Sequence, residues 1–498
     1  MKEHLSRRKF IKLAAAAGGA TIGGFDLSAR SWVTQAQVQT PSFQSVPKLD
    51  GALLFDEASR RAIAVDRGNL FHRIPAAVLR PGSVQDVITM VQYANQHALK
   101  IAIKGQGHSV YGQTQAEAGI VIDSSTLSTV YPPTTESVDA QFGALWADVA
   151  TATLPKGLTP RVFPATCMAL TVGGTLSVGG LGNTSHLYGA QVDNVTELEV
   201  VTGDGRLVTC SPAHESELFN MVLAGLGQCG IIVRARIPLI PAPSHVLLHH
   251  LLYTDLDKYL GDQLRIARDG RFQSQRGVMS RNQAGQWSFT MEVGQFFSPP
   301  AEPNLAALES GLQFDSATPP VSMTYQEYLY RFEARNATQP INRPSPYIVM
   351  WIPASATKDY LAHIFALSPE KARLPQTNGV ETFSCFPLNT RRFTCPLFKV
   401  PTEEQAFSVS LFRSVDPGYD AALSAVLASN RALLAKMTEV GGKRYTPNSM
   451  VLSQEEWQVH FGSDVWQRLS KAKQKYDPNS VLSPEPAMFG DHQRSSDA

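Results

Sequence analysis

The sequence predicts an α+β protein: a glycine-bearing α/β part, a long mixed segment, and a helical stretch near the C-terminus. Three observations lead there. Between Ala77 and Asp123 short apolar runs alternate with one helix-period stretch, a β-α-β pattern. Two glycine-rich segments, 105–109 and 170–182, sit beside apolar runs rather than inside a linker. From about 245 to 440 the composition changes: aromatics and prolines are frequent, glycine loops disappear, and helical and strand periods mix.

The chain has 498 residues, enough for two or more domains and a large core. Its 44 Lys and Arg balance 43 Asp and Glu, a formal net charge of +1, so no nucleic-acid surface is expected. The first residues read as a leader. Ser6-Arg7-Arg8-Lys9-Phe10-Ile11-Lys12 and the mild apolar run Leu13 to Gly24 match a twin-arginine export signal over 1–36, with cleavage expected after Ala29 or Ala36 and a tail to about residue 45. The apolar run is short of the roughly 20 residues that a bilayer span needs, and no later segment reads as transmembrane. Because that route carries folded proteins, a periplasmic or secreted protein loaded beforehand with a redox cofactor is expected. Cys167, Cys210, Cys229, Cys385 and Cys395 form no CxxC pair, so no zinc, iron–sulfur or other metal site is expected. Export permits a disulfide, and Cys385 with Cys395 is the local candidate; two buried thiols are the alternative.

The elements follow in order. A strand at Ala77 meets Pro81-Gly82 and then a helix on which Val84, Val87, Ile88, Val91 and Ala94 recur at helical spacing. Lys100 to Ile103 and Ile120 to Ile122 read as short buried strands. Val195 to Val201 and Arg206 to Cys210 read as a hairpin about Thr202-Gly203-Asp204-Gly205. Ile231 to Ile240 is a β-branched strand stopped by Pro241-Ala242-Pro243, a domain boundary. After Gly441-Gly442 the chain turns helical through Trp466, Leu469 and Ala472 and ends near Lys475-Tyr476-Asp477-Pro478.

Chemistry concentrates in Lys104-Gly105-Gln106-Gly107-His108-Ser109, set between two of those strands. Glycines at 105 and 107 let the backbone turn and approach a ligand closely, and successive bare N–H groups form a concave site for an anion such as a pyrophosphate. The histidine in such a turn has no evident task unless something is bonded to it, which points to a covalently held flavin. The second segment, Leu170-Thr171-Val172-Gly173-Gly174-Thr175-Leu176-Ser177-Val178-Gly179-Gly180-Leu181-Gly182, holds too many glycines for a regular helix to be expected. It also lacks the endings of a phosphate-gripping or dinucleotide loop.

With these segments the chain resembles the vanillyl-alcohol-oxidase/para-cresol-methylhydroxylase (PCMH) flavoproteins, and among them the cytokinin dehydrogenases. Gly105 to Ser109, Leu170 to Ser177, Asn194 to Gly203, Gly225 to Ile232, Pro387-Leu388-Asn389 and His460-Phe461-Gly462 carry the resemblance, in order, over nearly all of the chain after the signal. It implies an α+β fold: a two-subdomain PCMH-type FAD-binding domain over 46–244, a mixed α/β substrate (cap) domain over 245–440, and a C-terminal return over 441–490. It implies FAD bonded through His108 and contacted by Gly105, Gln106, Gly107, Ser109, Gln113, Thr171, Gly174, Ser177, Leu181 and Ile232. Five residues separate Cys167 from Gly173-Gly174, the spacing at which berberine-bridge-type oxidases carry a second flavin-bonded cysteine, so attachment through both residues is an open alternative to a buried thiol.

Two departures bear on activity. The resemblance places an aspartate base at position 166, but the residue is Thr166, which cannot act as a base near neutral pH. The acidic residue expected in the cap is replaced within Gln275-Arg276-Gly277. The expected activity is therefore the oxidation of a small organic amine or alcohol by hydride transfer to covalent FAD, with oxygen or a quinone as acceptor. A bicovalent carbohydrate or secondary-metabolite oxidase and a flavin-binding protein without turnover are the alternatives. No catalytic base is assigned; Tyr188, His186, Glu292, Tyr325, Tyr347 and Arg413 are candidates, while Asp148 and Asp193 read as structural.

Overall fold

The computed structural model describes residues 45–281, 285–333, 343–371, 382–446, 448–485 and 487–489, with Phe43 and the paired strands Ile22–Asp26 and Ser31–Thr34. Apart from those two strands, the expected export signal lies outside the described residues.

Besides that two-stranded pair, three larger sheets occur among the described residues. The first contains Ala52–Leu54, Ala77–Arg80, Ile120–Asp123 and Ile101–Lys104 in that spatial order, the last three parallel. The helix Val84–Gln96 forms the expected crossover: Ser83 caps it and Val87, Met90, Val91 and Ala94 are buried. Asp86 is buried in its first turn and accepts hydrogen bonds from the N–H groups of Asp50, Gly51 and Gly82 at 2.8 Å each. The second sheet is antiparallel, in the order Leu207–Cys210, Glu197–Thr202, Gly230–Pro241, Ser137–Gln141. Its first two strands are the expected hairpin.

The third sheet is antiparallel and nine-stranded, and collects the strands from His245–Tyr253 to Lys443–Arg444. Helices Leu256–Asp269, Ala354–Lys371 and Asp420–Glu439 pack on it. Its strand Ile348–Pro353 shows how the sheet joins the rest. Ile348, Met350 and Ile352 enter the core shared with those helices. Val349 and Trp351 point the other way, into the central core with Val172, Leu176 and Ile232. The period of two thus loads both faces, which is why the segment reads as one continuous apolar run.

The C-terminal stretch ties the first two sheets together. After helix Ser463–Tyr476, Val481 and Leu482 run beside Ile101: Ile101 N–H donates to Val481 O at 2.8 Å and Ser483 N–H to Ile101 O at 2.7 Å. Buried Asp477 organises that turn, accepting from Val481 N at 2.8 Å, Leu482 N at 3.0 Å and Lys473 Nζ at 2.6 Å.

Two expectations are corrected. Val172–Val178 is a helix despite its glycines. Thr171 caps it, and Gly173 lies so close to Phe142 that a Cβ would sit 2.7 Å from the Phe142 Cβ, so packing overrides propensity. Cys385 and Cys395 are free thiols in different cores, Cys385 under the third sheet and Cys395 in the central cluster, where its Sγ donates to Leu223 O at 3.4 Å.

Candidate active site

The two glycine segments meet. A Cβ on Gly105 would lie 2.2 Å from Thr171 Oγ1, so only glycine lets the first turn touch the cap of the helix after it. Thr171 Oγ1 accepts from Gly174 N–H at 3.3 Å, and Gly174 is exposed. Gly107 has φ +63°, a left-handed conformation that glycine adopts freely, and its position against Lys104 Cε leaves no room for a side chain. Lys104 itself folds back to donate to the carbonyls of Ile63 and Val65.

Residues from before the first glycine turn hold it, and sequence reasoning missed them. Buried Asp66 accepts from Gly112 N–H at 2.8 Å, Ser109 Oγ at 3.0 Å and Asn69 N–H at 3.1 Å. Burial raises its carboxyl pKa, and these bonds oppose the shift. Arg67 N–H donates to Gly107 O at 2.8 Å and Gly68 N–H to Ser109 O at 3.1 Å. The Asp66-Arg67-Gly68-Asn69 cluster is turn chemistry, and that signal was available in the sequence.

His108 is exposed to the space in front of the turn yet walled in by protein. Burial, reinforced by the Arg67 charge, pushes its pKa down to about 4, so its imidazole is neutral at pH 7. The same guanidinium charge also acts on Cys167 and Tyr347. Tyr347 immediately precedes the third-sheet strand Ile348–Pro353, and its hydroxyl donates to His108 O at 3.4 Å. Tyr445 accepts from Gly180 N–H at 3.1 Å, and Thr446 Oγ1 donates to Val178 O at 2.9 Å, so the third sheet closes on both glycine segments.

The other sequence-derived contacts are less uniform. Gln106 is exposed, Gln113 turns its Oε1 to Tyr111 N–H at 2.7 Å, and Ser177 Oγ donates back to Gly173 O at 2.8 Å. Leu181 O accepts from Ala165 N–H at 3.0 Å, beside exposed Thr166, whereas Ile232 is buried in the central core. Half-buried Cys167 has its thiol pKa raised by burial and by the nearby Glu333 charge.

The named base candidates hold varied posts. His186 is buried, its Nε2 is 3.1 Å from Phe272 O, and burial lowers its pKa to about 4. Burial would raise the Glu292 carboxyl, but the His250 hydrogen bond and the Arg331 and Arg276 charges hold it at about 2, with Arg331 at 2.9 Å. The Tyr325 hydroxyl meets Thr159 Oγ1 at 3.3 Å and Arg413 donates to Asn430 Oδ1 at 2.5 Å. Tyr188 is half-buried, and its carbonyl accepts from Asn194 Nδ2 at 2.8 Å. Asp148 accepts from Leu145 N–H at the start of helix Trp146–Thr153, and Asp193 from the N–H groups of Ala190, Thr394 and Cys395, structural posts as expected. No group of His, Cys, Asp and Glu suited to a metal ion occurs among the described residues.

A glycine cradle that side chains would fill, a neutral histidine on its rim and a second glycine segment against it fit the pyrophosphate and ring of FAD. Comparison with known proteins agrees. A family model described as an FAD binding domain matches residues 75–211, and one described as the FAD- and cytokinin-binding part of cytokinin dehydrogenase 1 matches 270–489. An uncharacterized oxidoreductase of the fasciation locus of Rhodococcoides fascians is 34% identical, covering 86% of this chain and 97% of its own. Cytokinin dehydrogenase 9 of Oryza sativa subsp. japonica is 33% identical over 90% of this chain and 92% of its own. The fold matches that of 6-hydroxy-D-nicotine oxidase from Arthrobacter nicotinovorans, with a TM-score of 0.68 at 20% identity, over 88% of this chain and 98% of that one. No helix among the described residues is long and apolar enough to cross a membrane. The chain belongs to the cytokinin dehydrogenase family and is an FAD-dependent oxidoreductase.

Proposed function

We propose that the protein is exported by the twin-arginine route with FAD already inserted, and that it oxidises a small organic amine or alcohol, with oxygen or a quinone taking the electrons. The observation that carries the reading is His108, a neutral imidazole at the rim of the glycine cradle, with its turn held by Asp66 and its carbonyl met by Tyr347. A neutral imidazole is a nucleophile, which supports His108 as the covalent anchor of the flavin. When bound, FAD supplies the hydride acceptor. The chain's own residues do the rest. Backbone N–H groups at 105–109 would hold the pyrophosphate, and the third sheet reaches both glycine segments through Tyr347 and Tyr445.

The test is a visible spectrum of the purified protein before and after acid precipitation. A yellow chromophore that stays with the precipitate is expected, and in His108→Ala it moves to the supernatant. A colourless wild-type protein overturns the reading. Turnover is then sought with N6-isopentenyladenine, oligosaccharides and benzylic alcohols, each with oxygen and a quinone.

A second reading, a bicovalent carbohydrate or secondary-metabolite oxidase, is favoured by Cys167, which feels the same Arg67 charge as His108. Mass spectrometry of the flavin peptide decides it. If Cys167→Ala leaves flavin absorption and fluorescence unchanged, that attachment is ruled out.

A further inference from the structure

When a hydride leaves a C–H bond next to nitrogen or oxygen, the proton on that heteroatom needs an acceptor within hydrogen-bond reach. Thr166 is exposed and is no base. The other titratable groups nearby are committed. Glu292 is clamped by Arg331 at 2.9 Å and is a weak base, held at about 2. His186 faces Phe272 O inside the core. Asp66 uses both oxygens to hold the His108 turn. The phenols of Tyr325 and Tyr347 are pushed up by burial.

Beside Thr166 and Cys167 stands one more carboxylate, brought from 165 residues farther along the chain. Half-buried Glu333 accepts from Met168 N–H through Oε1, and its charge reaches Cys167. Among the described residues its Oε2 has no hydrogen-bond partner. Met168, which this carboxylate holds, directly follows Cys167, and the Arg67 charge acts on both Cys167 and His108.

We infer that Glu333 is the proton acceptor of the reaction, a role that rests on the functional reading above. The substrate C–H bond breaks with its electron pair passing to the flavin. The N–H or O–H bond breaks with its proton passing to Glu333 Oε2, and a C=N or C=O double bond forms. The substrate loses two electrons and two hydrogens, and the carboxyl returns its proton to water.

The experiment compares wild-type holoprotein with Glu333→Gln, whose amide oxygen still accepts from Met168 N–H and so preserves the turn, and with Glu333→Asp. The first readout needs no substrate. Sulfite, an anion that adds reversibly to oxidised flavins, is titrated by loss of flavin absorbance. Removing a like charge from the site tightens the sulfite dissociation constant about tenfold in Glu333→Gln, while Glu333→Asp stays near wild type. The second readout is kcat against pH for whichever panel substrate the wild type oxidises. Glu333→Gln falls about 10²–10⁴-fold at every pH, and Glu333→Asp recovers part of the rate. An unchanged sulfite constant, or an unchanged kcat, in a fully yellow Glu333→Gln overturns the assignment alone. A wild type without flavin overturns the functional reading and this inference with it.

Discussion

If the two glycine segments form one site, Gly105 and Thr171 must be energetically coupled. A Cβ at position 105 would meet Thr171 Oγ1 at 2.2 Å and the Thr171 Cβ and Cγ2 at 3.3 Å each. The first contact cannot be tolerated, and overpacking of this kind costs about 1–3 kcal/mol. Thr171→Ala costs about 1 kcal/mol through its lost helix cap, since its Oγ1 accepts from Gly174 N–H. It also removes the atom that Gly105→Ala strikes, leaving a 3.3 Å contact that a small shift relieves. The double variant is therefore expected to fall short of additivity by about 1–3 kcal/mol, or roughly 5- to 150-fold in a binding constant. Reversible FAD binding in a His108→Ala background, followed by flavin fluorescence, measures it. Additivity within about 0.5 kcal/mol, the behaviour of independent sites, would refute the claim that the turn and the helix cap form one cradle.

Three further outcomes follow from buried charge. Arg444 is buried, stacks 5.0 Å from Trp457, and has no partner for Nε and Nη1 among the described residues. Burial lowers its pKa to about 9 from 12.5, so Arg444→Met should be more stable by about 1–4 kcal/mol at pH 7. The folded pKa is depressed, so the penalty is full below pH 9 and fades as pH rises above it, and the gap in thermal midpoints should narrow at pH 10. The Glu292 carboxyl, held at about 2 against 4.5, contributes about 3 kcal/mol above pH 4.5 that is lost as pH falls toward 2. Glu292→Gln should lower stability at pH 7 and flatten the acid-denaturation profile across that window. Lys473→Met strands the buried Asp477 carboxylate at a cost of about 3–5 kcal/mol, read as faster proteolysis within 477–483.

Legibility followed the range of the interactions. The β-α-β start was readable because Val87, Val91 and Ala94 mark one buried face by local periodicity. The hairpin about Thr202-Gly203-Asp204-Gly205 was readable because its turn chemistry lies within four residues. Helix Val172–Val178 was not, because the reasons it forms, the Thr171 cap and the press of Phe142 on Gly173, are a side-chain bond and a contact from 31 positions earlier. The His108 turn announced a ligand, but Tyr347 reaches it across 239 residues and Glu333 reaches Met168 across 165. No pattern in either segment marks that arrival. Asp66 was the avoidable miss, since its turn sequence was in view.

Cys167 and Glu333 bear on each other. Attack by sulfur requires the thiolate, and the thiol here is pushed up by burial and by the Glu333 charge. The carboxylate that favours accepting a substrate proton thus disfavours a second flavin bond at the neighbouring residue. His108 has the opposite environment: burial and the Arg67 cation keep it neutral and nucleophilic. On the proposed reading, His108 is thus suited to be the anchor and Glu333 the base. The coupling is testable in a single variant, because Glu333→Gln should weaken proton abstraction while lowering the Cys167 pKa, seen as faster alkylation of that thiol by iodoacetamide at pH 8. If alkylation does not change, the Glu333 charge does not act on the Cys167 thiol and the coupling is refuted.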